Sequence, residues 1–99
     1  MTLSNPQRKA LKAQAHALKP VVRLGQQGLT ENVLQEIHQA LTHHELIKIK
    51  VTAEDRAARQ QLIEQITEET QAETIQTIGH VAVLFKRNKK NPKIDLPRR

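Results

Sequence analysis

The chain has 99 residues, 37% hydrophobic and 26% charged, and no cysteine. That is enough for one core, and it excludes disulfide frameworks and thiolate metal sites. The formal charge of +6 is uneven: residues 1–24 carry +5, residues 25–85 carry −5 and residues 86–99 carry +6, a split that points to a polyanionic partner.

Residues 4–18 read as a first helix, with Ser4 or Asn5 as its cap and Pro6 in its first turn. On a helical wheel Arg8, Lys9, Lys12, His16 and Lys19 share one sector of about 100°. Leu11, Ala15 and Leu18 form the adjoining apolar face. Five basic or titratable groups with no acid among them suggest a phosphate-binding stripe. Lys19-Pro20 ends the helix, and Val21-Val22-Arg23-Leu24 follows as a short strand.

Gly25-Gln26-Gln27-Gly28 is a GxxG loop between that strand and a second helix. Glycines there can bare several backbone N–H groups, and a helix start attracts phosphate. The two inner glutamines are neutral, so the loop needs charge from neighbours such as Arg8, Lys12 and Lys19. Thr30 is placed to cap the second helix, with Val33, Leu34, Ile37 and Leu41 on its buried face. The helix runs out at His43-His44.

Leu46 to Val51 alternates, with Ile47, Ile49 and Val51 inward and Lys48 and Lys50 outward, as in a strand with one wet face. Thr52 to Asp55 resembles a capping box for a third helix with Ala58, Leu62, Ile63 and Ile66 on its apolar side. Glu73–Ile78 and Val81–Phe85 read as strands of a hairpin turned at Gly79-His80. From Lys86 the pattern becomes basic and aperiodic, and a domain over residues 1–87 with a mobile basic tail over 88–99 is expected. Two right-handed βαβ crossovers and a hairpin predict an α+β two-layer sandwich, α-β-α-β-α-β-β, with a four-stranded mixed sheet.

Catalytic arrangements are lacking. Ser4 is the sole serine and reads as a cap, and the acids are single or adjacent on helices, where neighbours do not face each other. His38, His43 and His44 do not have the spacing of a helical zinc pair. No enzyme activity, cofactor, metal or small-molecule substrate is therefore expected. No apolar run approaches the roughly 18 residues of a membrane span, and Met1 to Pro6 lacks a signal-peptide core, so the expected setting is cytoplasmic. Phe85 is the one aromatic residue and reads as core, so a sheet of stacking aromatics is ruled out as the reading surface.

Several segments together resemble one family: Leu18-Lys19-Pro20-Val21-Val22, Leu24 to Thr30, His43-His44-Glu45-Leu46-Ile47-Lys48, Ile78-Gly79, Leu84-Phe85-Lys86-Arg87 and Ile94-Asp95-Leu96-Pro97. The resemblance is to the CRM domain family (chloroplast RNA splicing and ribosome maturation), in its stand-alone bacterial YhbY form. It implies a fold similar to the C-terminal domain of translation initiation factor three. It also implies an RNA-binding protein associated with precursors of the large ribosomal subunit, with a GxxG loop that contacts RNA as in KH domains. Carried over, the loop is Gly25, Gln26, Gln27 and Gly28. With it, the candidate RNA-binding residues are Arg8, Lys9, Lys12, His16, Lys19 and Arg23, and Lys86, Arg87, Lys89 and Lys90 in the tail. The expected partner is ribosomal RNA of the large-subunit precursor, bound by a monomer. The alternatives are a protein-interaction module docking on ribosomal proteins and a DNA binder, though no recognition helix is apparent.

Overall fold

A computed structural model describes residues 2–98. The elements are α1 (Asn5–Ala15), β1 (Pro20–Leu24), α2 (Glu31–His44), β2 (Leu46–Val51), α3 (Arg56–Thr70), β3 (Glu73–Ile78) and β4 (Val81–Phe85). The sheet order is β1-β2-β4-β3, with β1 parallel to β2 and β4 antiparallel to both β2 and β3. This is the α+β order with a mixed four-stranded sheet that the residue patterns predict. The strand entering after α3 skips one place and leaves room for β4.

Local chemistry sets the helix limits. Ser4 caps α1 in a reciprocal box: its Oγ accepts from the Gln7 N–H, and its own N–H donates to Gln7 Oε1 at 3.0 Å. Thr30 caps α2 through the Val33 N–H. In α3 the cap is Asp55, which accepts from the Ala58 N–H at 2.8 Å, so the expected box beginning at Thr52 is not used. The hairpin turns on Gly79 at φ +57°, with Ile78 paired to Val81. A positive φ at the first of two loop residues suits glycine and matches strand twist.

Alternate residues of the strands feed two separate cores. Val22, Leu24, Ile47, Ile49, Val51, Ala82 and Leu84 meet Ile37 and Leu41 of α2 and Ile63 and Ile66 of α3. Leu46, Val83, Phe85 and Ile75 point the other way and meet Leu3, Leu11 and Ala15. Successive strand residues face opposite sides, so α1 lies across the face of the sheet that was expected to be wet. Besides the hairpin end, where Ile78 is 56% exposed, the β1–β2 part of that face stays open. There Val21 and Arg23 stand beside Lys48 and Lys50, with Arg23 and Lys50 in register.

The C-terminal segment corrects a second expectation. Residues 88–97 are tied into the domain instead of hanging from it. Ile94 and Leu96 pack on the α1 core, and the Gln7 and Gln14 side chains donate to the carbonyls of Pro97 and Asp95 at 3.0 and 3.1 Å. Their chief anchor is Glu45, the residue that ends α2. It is fully buried, with φ +63°. Its carboxylate accepts from the backbone N–H groups of Asn88, Lys93 and Ile94 at 2.5, 2.6 and 2.8 Å, and from Arg87 Nη1 at 3.0 Å. Burial works to raise this carboxyl's pKa. The three backbone donors and the guanidinium outweigh it and hold the group below its ordinary value.

Candidate nucleic-acid interface

The GxxG loop is a tight turn in which the Gly28 N–H donates to the Gly25 carbonyl at 3.0 Å. That bond removes one of the N–H groups expected to face a ligand. Gly28 has φ +71°, a conformation that L side chains avoid, so its identity has a structural cause. Gly25 has none of that kind. Its φ is not positive, and a Cβ built on it meets nothing within 4 Å. A glycine the free chain does not need is suited to the close approach of a second molecule. The hollow beside the loop has a volume of about 540 Å³ and is lined by Gly25, Gln26, Gly28, Thr52, Ala53, Glu54 and Leu62. Its one charged side chain is acidic, so the field at the loop does not come from its walls.

These two glycines separate structure from binding. Gly28→Ala is expected to cost about 1–2 kcal/mol of stability, the left-handed penalty for a residue with a Cβ. Gly25→Ala should melt within about 0.5 kcal/mol of the parent. A thermal melt of each variant checks both values.

The first-helix stripe is shorter than expected. The helix stops at Ala15, so Lys19 leaves it and Leu18 is 36% exposed instead of joining the apolar face. Arg8 is paired at a part-exposed site: its guanidinium meets Glu73 at 3.2 Å and donates to the Thr74 carbonyl at 3.3 Å, beside the register shift of β3. Lys9 and Lys12 remain exposed on α1, and His16 at its C-cap. α1 packs on β2 and β3 and its end leads into the start of β1, whereas the GxxG loop leaves the far end of β1. None of the stripe residues shares the hollow at the loop. The stripe is therefore not the loop's local source of charge.

In the C-terminal part, Arg87 turns inward to Glu45 and also donates to the Ile94 carbonyl at 2.8 Å. It is a structural cation, so part of its donor set is already engaged within the fold. Lys89 and Lys90 are exposed and Lys86 is half-buried, and with His38 they border a hollow on the α2 side. Among the described residues, Arg8 and Arg87 are the cations held in ion pairs. Lys9, Lys12, Lys19, Arg23, Lys89 and Lys90 all point to solvent.

The sequence reading missed Lys48 and Lys50. Their alternation with Ile47, Ile49 and Val51 marked a wet face, but only the pairing of β1 with β2 sets Arg23 beside Lys50 on it. Like charges in register cost stability unless an anion sits over them.

The family model of the CRS1/YhbY (CRM) domain matches residues 3–86. The chain belongs to the CRM domain family. A Haemophilus influenzae relative named RNA-binding protein is 54% identical over 98 residues, covering 99% of this chain and 98% of its own. The Bacillus subtilis protein named Probable RNA-binding protein YqeI is 33% identical over 95 residues, covering 96% of this chain and 99% of its own. The solution structure of the hypothetical Staphylococcus aureus protein SAV1595, proposed to bind RNA, superimposes with a TM-score of 0.81 at 32% identity over 97% of this chain and all of that one. The match spans the GxxG loop, α1 and the open β1–β2 face, so these parts belong to the CRM domain itself. Residues 88–97, which the fold ties back through Glu45, lie beyond the matched range.

Proposed function

We propose that this CRM domain is a cytoplasmic, non-enzymatic RNA-binding protein that acts on precursors of the large ribosomal subunit. The observation that carries the reading is the set of exposed cations without internal partners, in a chain whose relatives are named for RNA binding. The GxxG turn, with Gly25 free for close approach, holds the sugar–phosphate backbone. Lys9 and Lys12 of α1, His16 at its end, the open sheet face, and Lys89 and Lys90 supply the charge. Such contacts read phosphate and shape, and they position a strand without reading its bases.

Binding should be measured by filter retention of single-stranded RNA and of duplex DNA of equal length at several salt concentrations. RNA should be preferred, and the log–log salt slope should be about −0.7 for each phosphate neutralised. Replacing Lys9 and Lys12 together with alanine should lower affinity about tenfold at 0.15 M salt and flatten the slope by about 1.4. Absence of RNA binding even at low salt would overturn the reading. Cells depleted of the protein should accumulate large-subunit precursors in sucrose gradients. If the protein stays on those particles after nuclease treatment, the alternative of docking on ribosomal proteins is favoured.

A further inference from the structure

A second cleft lies at the start of β1, at the opposite end of that strand from the GxxG loop. Its volume is about 570 Å³, and it is framed by the end of α1, the end of α2, β2 and the C-terminal segment. Its floor is aliphatic: Leu18 and Val21 are 36% and 51% exposed there. Lys48 and Lys93 stand on its walls, and no acidic side chain lines it. His43 and His44, consecutive at the end of α2, both border it, with ring centroids 6.3 Å apart and planes inclined by 56°. Glu45 fixes the outer wall, because its carboxylate holds the backbone N–H groups of Lys93 and Ile94.

We propose that this cleft takes one unpaired nucleotide of a single-stranded RNA, its base against Leu18, Val21 and a histidine ring and its phosphates on Lys48 and Lys93. The proposal rests on the RNA-binding reading above and adds to it a base-contacting subsite. The chemistry of the walls selects this occupant. A bare phosphate would leave the aliphatic floor wet, and an aliphatic ligand would leave the lysines unneutralised. A nucleotide offers a flat apolar base beside an anion, and imidazole is one of the rings on which bases stack. The site lies within one strand's reach of the loop. Four residue steps separate Val21 from Gly25, about 13 Å at 3.3 Å per residue. An RNA strand lying along β1 past Arg23 would span that distance in two or three nucleotides.

The test uses the full chain with its methyl groups labelled for NMR. Uridine or adenosine 5′-monophosphate and an eight-residue single-stranded RNA should both shift the Leu18, Val21 and Ile94 methyls saturably. Ribose 5-phosphate should shift them several-fold less. Leu18→Ser with Val21→Ser, both at exposed positions, should weaken the RNA about fivefold while leaving the salt slope unchanged, because the lost contact is apolar. Lys48→Thr should instead flatten the slope. The proposal is overturned if RNA binds and these methyls stay still, or if the serine pair binds as tightly as the parent. Those outcomes leave the RNA-binding reading intact, whereas failure of RNA to bind anywhere removes both. A poly-glutamate peptide that moves the same methyls while RNA does not would assign the cleft to a protein partner and overturn the proposal.

Discussion

Replacing Glu45 with alanine should remove about 3–5 kcal/mol of stability, as expected when one member of a buried ion pair is deleted. The loss has two parts. Arg87 is left without its counter-ion, and the N–H groups of Asn88, Lys93 and Ile94 lose their acceptor. For a domain of this size that lowers the melting temperature by more than about 10 °C. Amide exchange at those three N–H groups should speed up more than at the core of the sheet, because they are the ones Glu45 protects. Glu45→Gln keeps the volume but presents an amide to a cluster of donors, so it should fall between the parent and the alanine variant. The pH dependence has a definite sign. The folded carboxyl titrates below its unfolded counterpart of about 4.3. Its contribution is therefore present above that value and is lost as pH falls through the folded pKa. Melts between pH 7 and pH 3 should show this acid loss in the parent and a smaller one in Glu45→Gln.

The largest expected effect on binding comes from the open sheet face. Changing Arg23, Lys48 and Lys50 together to threonine keeps strand-forming side chains and removes three neighbouring charges. At 0.15 M salt each neutralised phosphate on a single strand is worth roughly fourfold, so affinity for single-stranded RNA should fall about 50-fold and the salt slope should flatten by about 2. Arg56→Ala is the control. Arg56 begins α3, in the helical layer on the other side of the sheet from these three cations, so its removal should cost no more than about twofold. If the triple variant binds as well as the parent, the sheet face is merely a solvated surface. The double change at Lys9 and Lys12 would then show whether α1 carries the affinity alone.

Much of this fold is legible from residue patterns because its signals are local. The alternation from Leu46 to Val51 fixes β2 and its wet side. Ser4 and Thr30 cap their helices as their chemistry dictates, and Gly79-His80 turns the hairpin. The errors have a common cause. The helical wheel placed Lys19 and Leu18 on α1, but the helix is released at Ala15 before Pro20 enters β1. Leu3, Leu11 and Ala15 needed a partner surface, and Val83, Phe85 and Ile75 supply it. That need drew α1 onto the face of the sheet that alternation alone left open.

The candidate site divides the same way. The sequence by itself determined the order of the elements, the GxxG turn and the number of unbalanced cations, since these depend on neighbours within a few residues and on composition. Tertiary structure alone decided which cations are available. Arg8 meets Glu73 and Arg87 meets Glu45, across 65 and 42 residues of chain. Those encounters follow from strand order and docking, which no local period encodes. The same docking makes Glu45 the acceptor that holds residues 88–97 against the domain. It also places Leu18, Val21, His43, His44, Lys48 and Lys93 around one cleft. The GxxG loop stands at one end of β1 and that cleft at the other, with Arg23 exposed between them.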